Sequence, residues 1–276
     1  MNDLFIDRGT GQPLDYRAHN AAYGINEWFG VSLESDTALA EKVTKKQHVS
    51  VDPDYKEPFA PEIDDLIRLH FLCLNRRVTT VLEFGVGKST RVFAEALRLN
   101  RELHGNYVAE HLRRADPFRL FSVDNAPEWV DRCRKELPAD LVEFVDFTVT
   151  EVEMTTFNDR ICTAYRKLPN VCPDLIYLDA PGQYGVKGDV RGITTETRDR
   201  LPMAADLLLL EPFLLPGTLI VVDGRTANAR FLKHNLQGNW VYHEFAGMEL
   251  NTFELVEAPL GRINRRQLEY CLQWEK

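Results

Sequence analysis

The sequence lacks the long apolar run that a membrane helix requires. No apolar stretch approaches the roughly 18 to 20 uninterrupted residues that cross a bilayer. The first residues, MNDLFIDRG, also lack the basic start and apolar run of a signal peptide. The five cysteines include no CxxC pair, which argues against a zinc knuckle and a disulfide framework. These absences predict a cytoplasmic protein with reduced thiols and no membrane insertion.

A concentrated basic surface is missing as well. The 276 residues carry a formal net charge of −9, and the Lys and Arg residues are dispersed among acids. Because phosphate neutralisation needs a concentrated basic face, we expect a small-molecule substrate and no nucleic-acid partner. This composition leaves homo-oligomer formation open.

Three segments of different character divide the chain. Residues 1–60 mix polar, Gly, Pro and aromatic residues without sustained periodicity, which predicts an irregular or short-helical N-terminal extension, a candidate cap over the functional site. Residues 61–258 form the predicted main domain, and residues 259–276 form a C-terminal tail. The main domain begins with a helix from Pro61, where apolar residues line one side and acids occupy the first turn.

Within the main domain, short apolar runs alternate with helical segments. Strands that are apolar throughout are typical of a sheet covered by helices on both faces, so we expect a mainly parallel, doubly wound α/β fold. The predicted strands are 78–84, 119–123, 143–149, 175–178 and 218–222. The predicted helices are 89–103, 128–137, 158–168, 196–210 and 227–235.

The last two predicted strands lie in NWVYHEFAG and LNTFELVE, with only a short link between them. A link of this length makes the two strands antiparallel, because a parallel crossover needs about a dozen residues or more. A parallel sheet that ends in an antiparallel hairpin differs from ordinary nicotinamide-binding folds.

A glycine-rich turn, TTVLEFGVGKST, follows the first predicted strand. Gly85 and Gly87 let the backbone approach a ligand closely, and the helix that follows offers free N–H groups. A phosphate-binding loop would need Gly at Leu82, and a nicotinamide site would need Gly at Thr90, so both fit poorly. A tight turn without a ligand is the remaining alternative.

The run Glu83-Phe84-Gly85-Val86-Gly87 resembles the first motif of class I S-adenosylmethionine-dependent methyltransferases. The resemblance implies a Rossmann-like, doubly wound, mainly parallel seven-stranded sheet ending in an antiparallel hairpin, with S-adenosylmethionine as cofactor. The resemblance also implies that residues of the turn contact the methionine moiety of the cofactor. These residues are Glu83, Gly85, Gly87 and Ser89. Residues 150–152, after the third strand, are weaker candidates for adenine contact.

Asp124 corresponds to the second element of that family, an acid at the end of the second strand. Its carboxylate can accept hydrogen bonds from both ribose hydroxyls. Asp124 lies 37 residues after Gly87, against roughly 20 in a plain Rossmann unit, which predicts an insertion at 104–118. A helix cap is the alternative role for Asp124.

Asp179 in LDAPGQY and Asp223 in VVDGR end the fourth and fifth strands, where ligands of α/β sheets bind. Both are catalytic candidates; Asp179 is a candidate for substrate orientation, proton removal and cofactor contact. The two segments resemble metal-dependent O-methyltransferases, which makes both carboxylates candidate Mg²⁺ ligands. Gly224 stands where that pattern has Asn. His234 is a further candidate base by residue type, with a favourable charge at a helix end as the alternative role.

The loop after Asp179, GQYGVKGDVRGITTET, is long and rich in glycine, as substrate lids are. The substrate-binding candidates are Tyr184, Lys187, Arg191 and Arg225. A surface loop with solvated charges is the alternative.

These features predict O-methylation of a small hydroxylated metabolite, such as a sugar or glycan component. Two alternatives stay open: N-methylation, and a protein of the same fold that binds or assembles without catalysis. A nucleotide-dependent kinase or ATPase would explain GKST, but Leu82 contradicts it.

Overall fold

A mainly parallel sheet forms the centre of the computed structural model, which describes residues 3–31, 60–197 and 199–273. In chain order the strands are β1 (Thr80–Phe84), β2 (Arg119–Asp124), β3 (Val145–Val149), β4 (Val152–Phe157), β5 (Arg160–Tyr165), β6 (Leu175–Leu178), β7 (Leu219–Asp223), β8 (Trp240–Phe245) and β9 (Leu250–Leu255). Seven of them form one sheet in the order β3-β2-β1-β6-β7-β9-β8. β9 runs antiparallel to β7 and β8, and the other pairings are parallel. The predicted fold class is confirmed.

Helices cover both faces of this sheet. They are α1 (Tyr16–Tyr23), α2 (Ile25–Trp28), α3 (Ile63–Asn75), α4 (Lys88–His111), α5 (Pro127–Glu136), α6 (Asp206–Leu210), α7 (Thr226–Lys233) and α8 (Gly261–Leu272). Successive strand residues point to opposite faces, so Val81 enters the core beneath α3 and α4 while Leu82 enters the core beneath α6 and α7. Within the described ranges, no helix is long and apolar enough to cross a membrane.

The described part of the N-terminal extension packs on α3. Asp15 caps α1 by accepting hydrogen bonds from the backbone N–H groups of Arg17 and Ala18. Ile25 is fully buried in the core beneath α3, and the ring of Phe5 lies 5.4 Å from that of Phe245 on β8. The predicted cap over the site stays a prediction, since residues 32–59, with most of the Pro-rich connector, lie outside the described residues.

The predicted helix 158–168 is wrong: β4 and β5 form a separate antiparallel hairpin there. Asn158 and Asp159 join the two strands with φ angles of 47° and 59°. Asn and Asp adopt this left-handed conformation most readily among residues other than Gly, and two such residues in succession match the twist of a tight hairpin. The hairpin stands in the crossover between β3 and β6, where a helix is usual.

Two other helices differ in length from the prediction. Of the described residues in the predicted helix 196–210, those before α6 are not helical, and Pro202 disfavours the helical conformation at the residue before it. α4 continues to His111, eight residues beyond the predicted end at Leu103, and thereby takes up half of the predicted insertion. At the other end of the chain, most of the predicted tail is the helix α8, whose Leu268 packs against Gly217, two residues before β7.

Candidate cofactor and active site

Four acidic side chains lie at the carboxyl ends of the parallel strands. They are Glu83 on β1, Asp124 on β2, Asp179 after β6 and Asp223 on β7. Glu83 pairs in register with Ser122, two residues before Asp124, so these side chains point to the same face of the sheet. That face is the one covered by α3 and α4. The structure therefore brings together the four acids that the sequence nominated.

Glu83 holds the glycine turn in place. Its carboxylate is fully buried and accepts hydrogen bonds from the hydroxyls of Ser89 (2.6 Å), Thr90 (2.7 Å) and Ser122 (2.5 Å). Burial raises the pKa of Glu83 to about 7, against the opposing effect of these three donors. Glu83 and Ser89 thus bind each other and fix the first turn of α4 to the ends of β1 and β2.

The two glycines of the turn differ in their surroundings. Gly85 has a φ of +103°, and an added Cβ would lie 3.1 Å from the Ala180 Cβ and 3.3 Å from the Asp179 carbonyl carbon. No other residue fits there without strain. An added Cβ on Gly87 would have no atom within 4 Å beyond the chain neighbours. Gly85 therefore serves the fold, whereas Gly87 borders open space at the start of α4.

Asp124 closes the turn from the second strand. Its Oδ2 accepts a hydrogen bond from the Val86 N–H at 2.8 Å, and its Oδ1 accepts one from the Ala126 N–H at 2.8 Å. Burial raises the pKa of Asp124, and the backbone donors oppose that shift. The N-cap of α5 is Ala126, which carries no side-chain cap, so Asp124 fixes the residue before α5 without capping the helix itself. A carboxylate offers about four acceptor positions, so capacity for a ligand hydroxyl remains.

Arg225 positions the segment after β6. Its guanidinium donates to the carbonyl oxygens of Asp179 (2.7 Å) and Pro181 (2.9 Å), and its Nε lies 3.5 Å from Asp179 Oδ1. The Asp179 side chain is 54% exposed at the edge of the crevice. Arg225, predicted to bind substrate, therefore orients the chain that carries Asp179.

The acids do not fit the predicted magnesium site. Asp179 faces the Arg225 guanidinium, Asp223 Oδ2 accepts a hydrogen bond from the Tyr177 hydroxyl at 2.8 Å, and Gly224 adds no side chain. Across the described ranges, no group of three or more His, Cys, Asp and Glu side chains is placed to hold a metal ion. A cation beside one carboxylate opposes a second cation there.

The structure separates His234 from the acids. His234 caps the end of α7, with its Nδ1 2.6 Å from the Arg230 carbonyl oxygen. α7 begins after Asp223 and runs about 12 Å away from the carboxyl edge. The prediction of His234 as a catalytic base stays a prediction, and its position at the end of α7 does not support it. His243, another His near the end of the chain, is exposed on β8.

The loop after Asp179 is anchored at its middle. The Lys187 N–H donates to the Val152 carbonyl at 2.8 Å, and the Met154 N–H donates to the Lys187 carbonyl at 2.9 Å. The side chains of Lys187 and Arg191 are exposed, and that of Tyr184 is half-buried. The loop thus extends the β4–β5 hairpin by one bridge, so that any lid movement would involve the hairpin too.

Tyr165, at the end of β5, is a buried residue of this region that the sequence did not nominate. It is 6% exposed, and its ring lies 5.6 Å from that of Phe84. Burial raises its pKa well above the usual value, and the charges of Asp124, Asp179 and Arg225 act on it. The hairpin signal Asn158-Asp159 was the only indication in the sequence that Tyr165 lies on a strand.

Comparisons with known proteins give only distant structural likenesses. No family model matches the chain, and no curated protein matches its sequence. A SAH-bound methyltransferase from Podospora anserina is similar at 11% identity and a TM-score of 0.44, over 88% of this chain and 97% of that one. An O-methyltransferase of tomaymycin synthesis from Streptomyces achromogenes, in complex with SAM, is similar at 15% identity and a TM-score of 0.39, over 88% and 100%. With such low identities and TM-scores, these likenesses carry no argument about the reaction.

Proposed function

We propose that the chain binds S-adenosylmethionine at the carboxyl edge of the sheet and transfers its methyl group to a small hydroxylated metabolite. The observation that carries the proposal is the glycine turn. Glu83 and Asp124 fix the turn from two strands, and Gly87 borders open space at the start of α4. A turn held in this way can receive a ligand without rearrangement.

The charge at this edge favours a cationic ligand. Asp124, Asp179 and Asp223 lie at the carboxyl ends of β2, β6 and β7, at the same edge of the sheet as the turn. A crevice lined by acids attracts the sulfonium of S-adenosylmethionine and repels a triphosphate. The electrostatics therefore favour the methyltransferase hypothesis over a kinase that uses the GKST segment.

Asp179 is the candidate for the chemical step. When bound, the cofactor supplies an electrophilic methyl group. Asp179 is held by Arg225 with its side chain half-exposed, and in the proposed reaction it orients an acceptor hydroxyl and takes its proton as the oxygen is methylated. The proposed reaction uses no Mg²⁺, so a chelator should not change the rate.

The experiment is transfer of an isotope-labelled methyl group from S-adenosylmethionine to a panel of sugars, phenols and amines, read by mass spectrometry. We expect a labelled product with a hydroxylated acceptor. Labelling of amines alone would replace O-methylation by N-methylation, and cofactor binding without labelling of any acceptor would favour the non-catalytic alternative. Gly87→Val should abolish labelling, while Gly105→Val, in the middle of α4, should preserve it.

A further inference from the structure

Several buried polar atoms near the acids have no hydrogen-bond partner within the described residues, and two of them belong to Tyr165 and Gln183. The Tyr165 hydroxyl and the Gln183 Nε2 are both without one, and the residues are 6% and 8% exposed. An unpaired buried donor destabilises a fold, and most such groups in proteins are paired. A pair of them beside a cofactor site points to a ligand that supplies the missing partners.

Tyr165 lies beside the strand end that carries the ribose candidate. It pairs in register with Val152, three residues after the end of β3, and β3 is the neighbour of β2. Among the charged groups that act on the phenol, Asp124 has the largest effect. The Tyr165 N–H donates to Asp206 Oδ1 at 2.9 Å, which fixes the backbone and leaves the hydroxyl free to bind.

Gln183 lies in the loop after β6, between contacts to Arg225 and to Asn125. Two residues before it, the Pro181 carbonyl accepts from Arg225; two residues after it, a Cβ on Gly185 would lie 3.5 Å from Asn125 Nδ2. The segment therefore spans the space from the end of β7 to the end of β2. Tyr165 packs in the same buried cluster as Ala180 and Val186, which flank Gln183 in the sequence, so both unpaired groups belong to one region.

We propose that the Tyr165 hydroxyl and the Gln183 amide bind the nucleoside half of the cofactor, so that the β4–β5 hairpin determines cofactor recognition. This inference rests on the proposed function, because the ligand is the one proposed above. A phenol and an amide together offer donors and acceptors that suit the ring nitrogens and the exocyclic amine of a purine. In this arrangement Asp124, at the end of β2, accepts hydrogen bonds from the ribose hydroxyls.

The test compares Tyr165 with a second buried tyrosine whose hydroxyl also lacks a described hydrogen-bond partner. Tyr270 on α8 is also buried, at 4% exposed, and its hydroxyl also lacks a partner among the described residues, but it lies at the opposite end of the sheet. Tyr165→Phe and Tyr270→Phe each remove only an oxygen atom. Because neither hydroxyl bonds to any residue that the structure describes, both variants should keep or slightly raise the unfolding temperature.

The two variants should differ in affinity for S-adenosylhomocysteine, measured by titration calorimetry. We expect Tyr165→Phe to weaken binding roughly fivefold to thirtyfold, as loss of a buried hydrogen bond does, and Tyr270→Phe to leave it unchanged. Gln183→Leu should weaken binding by a similar factor. The loss should persist with 5′-methylthioadenosine, which lacks the amino-acid half.

Each outcome decides a separate question. Equal affinities of Tyr165→Phe and the unaltered chain would overturn this inference and leave the proposed function standing. A loss seen with S-adenosylhomocysteine but absent with methylthioadenosine would overturn the nucleoside assignment. Failure of the unaltered chain to bind either compound would overturn the proposed function, and this inference with it.

Discussion

The two edges of the sheet use buried acids in different ways. At the amino edge, the Asp174 carboxylate is saturated by the protein. It accepts hydrogen bonds from Thr79, from the Thr80 N–H (3.1 Å) and from Gln267 (2.5 Å), and it pairs with Arg114 at 3.1 Å. α8 closes this edge. All the acceptor positions of Asp174 thus serve the fold.

At the carboxyl edge, Asp124 accepts from backbone donors with capacity to spare, and Asp179 is half-exposed. Glu83 is the exception, since three hydroxyls occupy it as donors occupy Asp174. The comparison teaches that burial of an acid does not by itself indicate a ligand. What distinguishes the candidate site is acceptor capacity that the protein leaves unused.

The largest effect on stability should come from removing the buried ion pair between Asp174 and Arg114 at the amino edge. Asp174→Ala leaves the Arg114 guanidinium buried without its counter-charge, which should lower the free energy of unfolding by about 3 to 5 kcal/mol. Chemical denaturation measures this loss. Asp146→Ala removes the partner of the partly exposed Arg119 and should cost less than about 1 kcal/mol. Comparable losses in both variants would contradict the contrast between buried and exposed pairs.

At the carboxyl edge, Asp179→Asn should affect turnover far more than binding. The amide keeps the size of the side chain but cannot accept the acceptor's proton, so kcat should fall roughly a hundredfold or more. Steady-state kinetics and calorimetry measure the two quantities. Affinity for S-adenosylhomocysteine should change little, and EDTA should have no effect on the unaltered chain. A fully active Asp179→Asn variant would remove Asp179 from the chemical step.

Asp124→Ala should weaken S-adenosylhomocysteine binding by about 1.5 to 3 kcal/mol, roughly tenfold to a hundredfold. The reason is loss of a charged acceptor for the ribose hydroxyls. Because Asp124 also accepts from Val86 and Ala126, the unfolding temperature should fall as well. Binding is therefore measured below the unfolding transition, and unchanged affinity there would leave Asp124 with only its contacts to Val86 and Ala126.

A smaller effect on stability is expected from a buried histidine pair that lies outside the candidate site. On α1 and α3, His19 Nε2 lies 2.9 Å from His70 Nδ1, and burial lowers the pKa of His19 to about 4. The unfolded value is about 6.5, so this contribution to stability is full above pH about 6.5 and is lost as pH falls towards about 4. Because His19 is partly exposed, we expect it to contribute up to about 2 kcal/mol to the free energy of unfolding.

Thermal unfolding of the unaltered chain and of His19→Leu, followed across that pH range, measures the contribution. The difference in stability between them should depend on pH, while their affinities for S-adenosylhomocysteine at neutral pH should agree. A pH-independent difference would show that the histidine pair does not titrate with folding.

Local sequence signals predicted most of the sheet. β6 and β7 are continuous apolar runs that end at Asp179 and Asp223, and the glycine turn marks the end of β1. The apolar pattern gave the wrong element at 158–168, where spacing typical of a helix occurs in a segment that forms strands. Ile161, Ala164 and Tyr165 have helical spacing, but the Asn158-Asp159 turn placed them on a strand instead.

The side-chain contacts of the site could not be predicted in the same way. Arg225 meets Asp179, and Tyr177 meets Asp223, across 46 positions of sequence in each case. Such contacts depend on strand order and register, which no local pattern encodes. For the same reason Tyr165 was missed, because its importance comes from an element whose type was wrongly predicted.

Calorimetric titration of the unaltered chain with S-adenosylhomocysteine, ATP and NAD, one ligand at a time, tests the central claim most directly. The account predicts saturable one-to-one binding of S-adenosylhomocysteine and no detectable binding of the other two, because the acidic edge repels their phosphates. Binding of ATP or NAD in the absence of S-adenosylhomocysteine binding would contradict it.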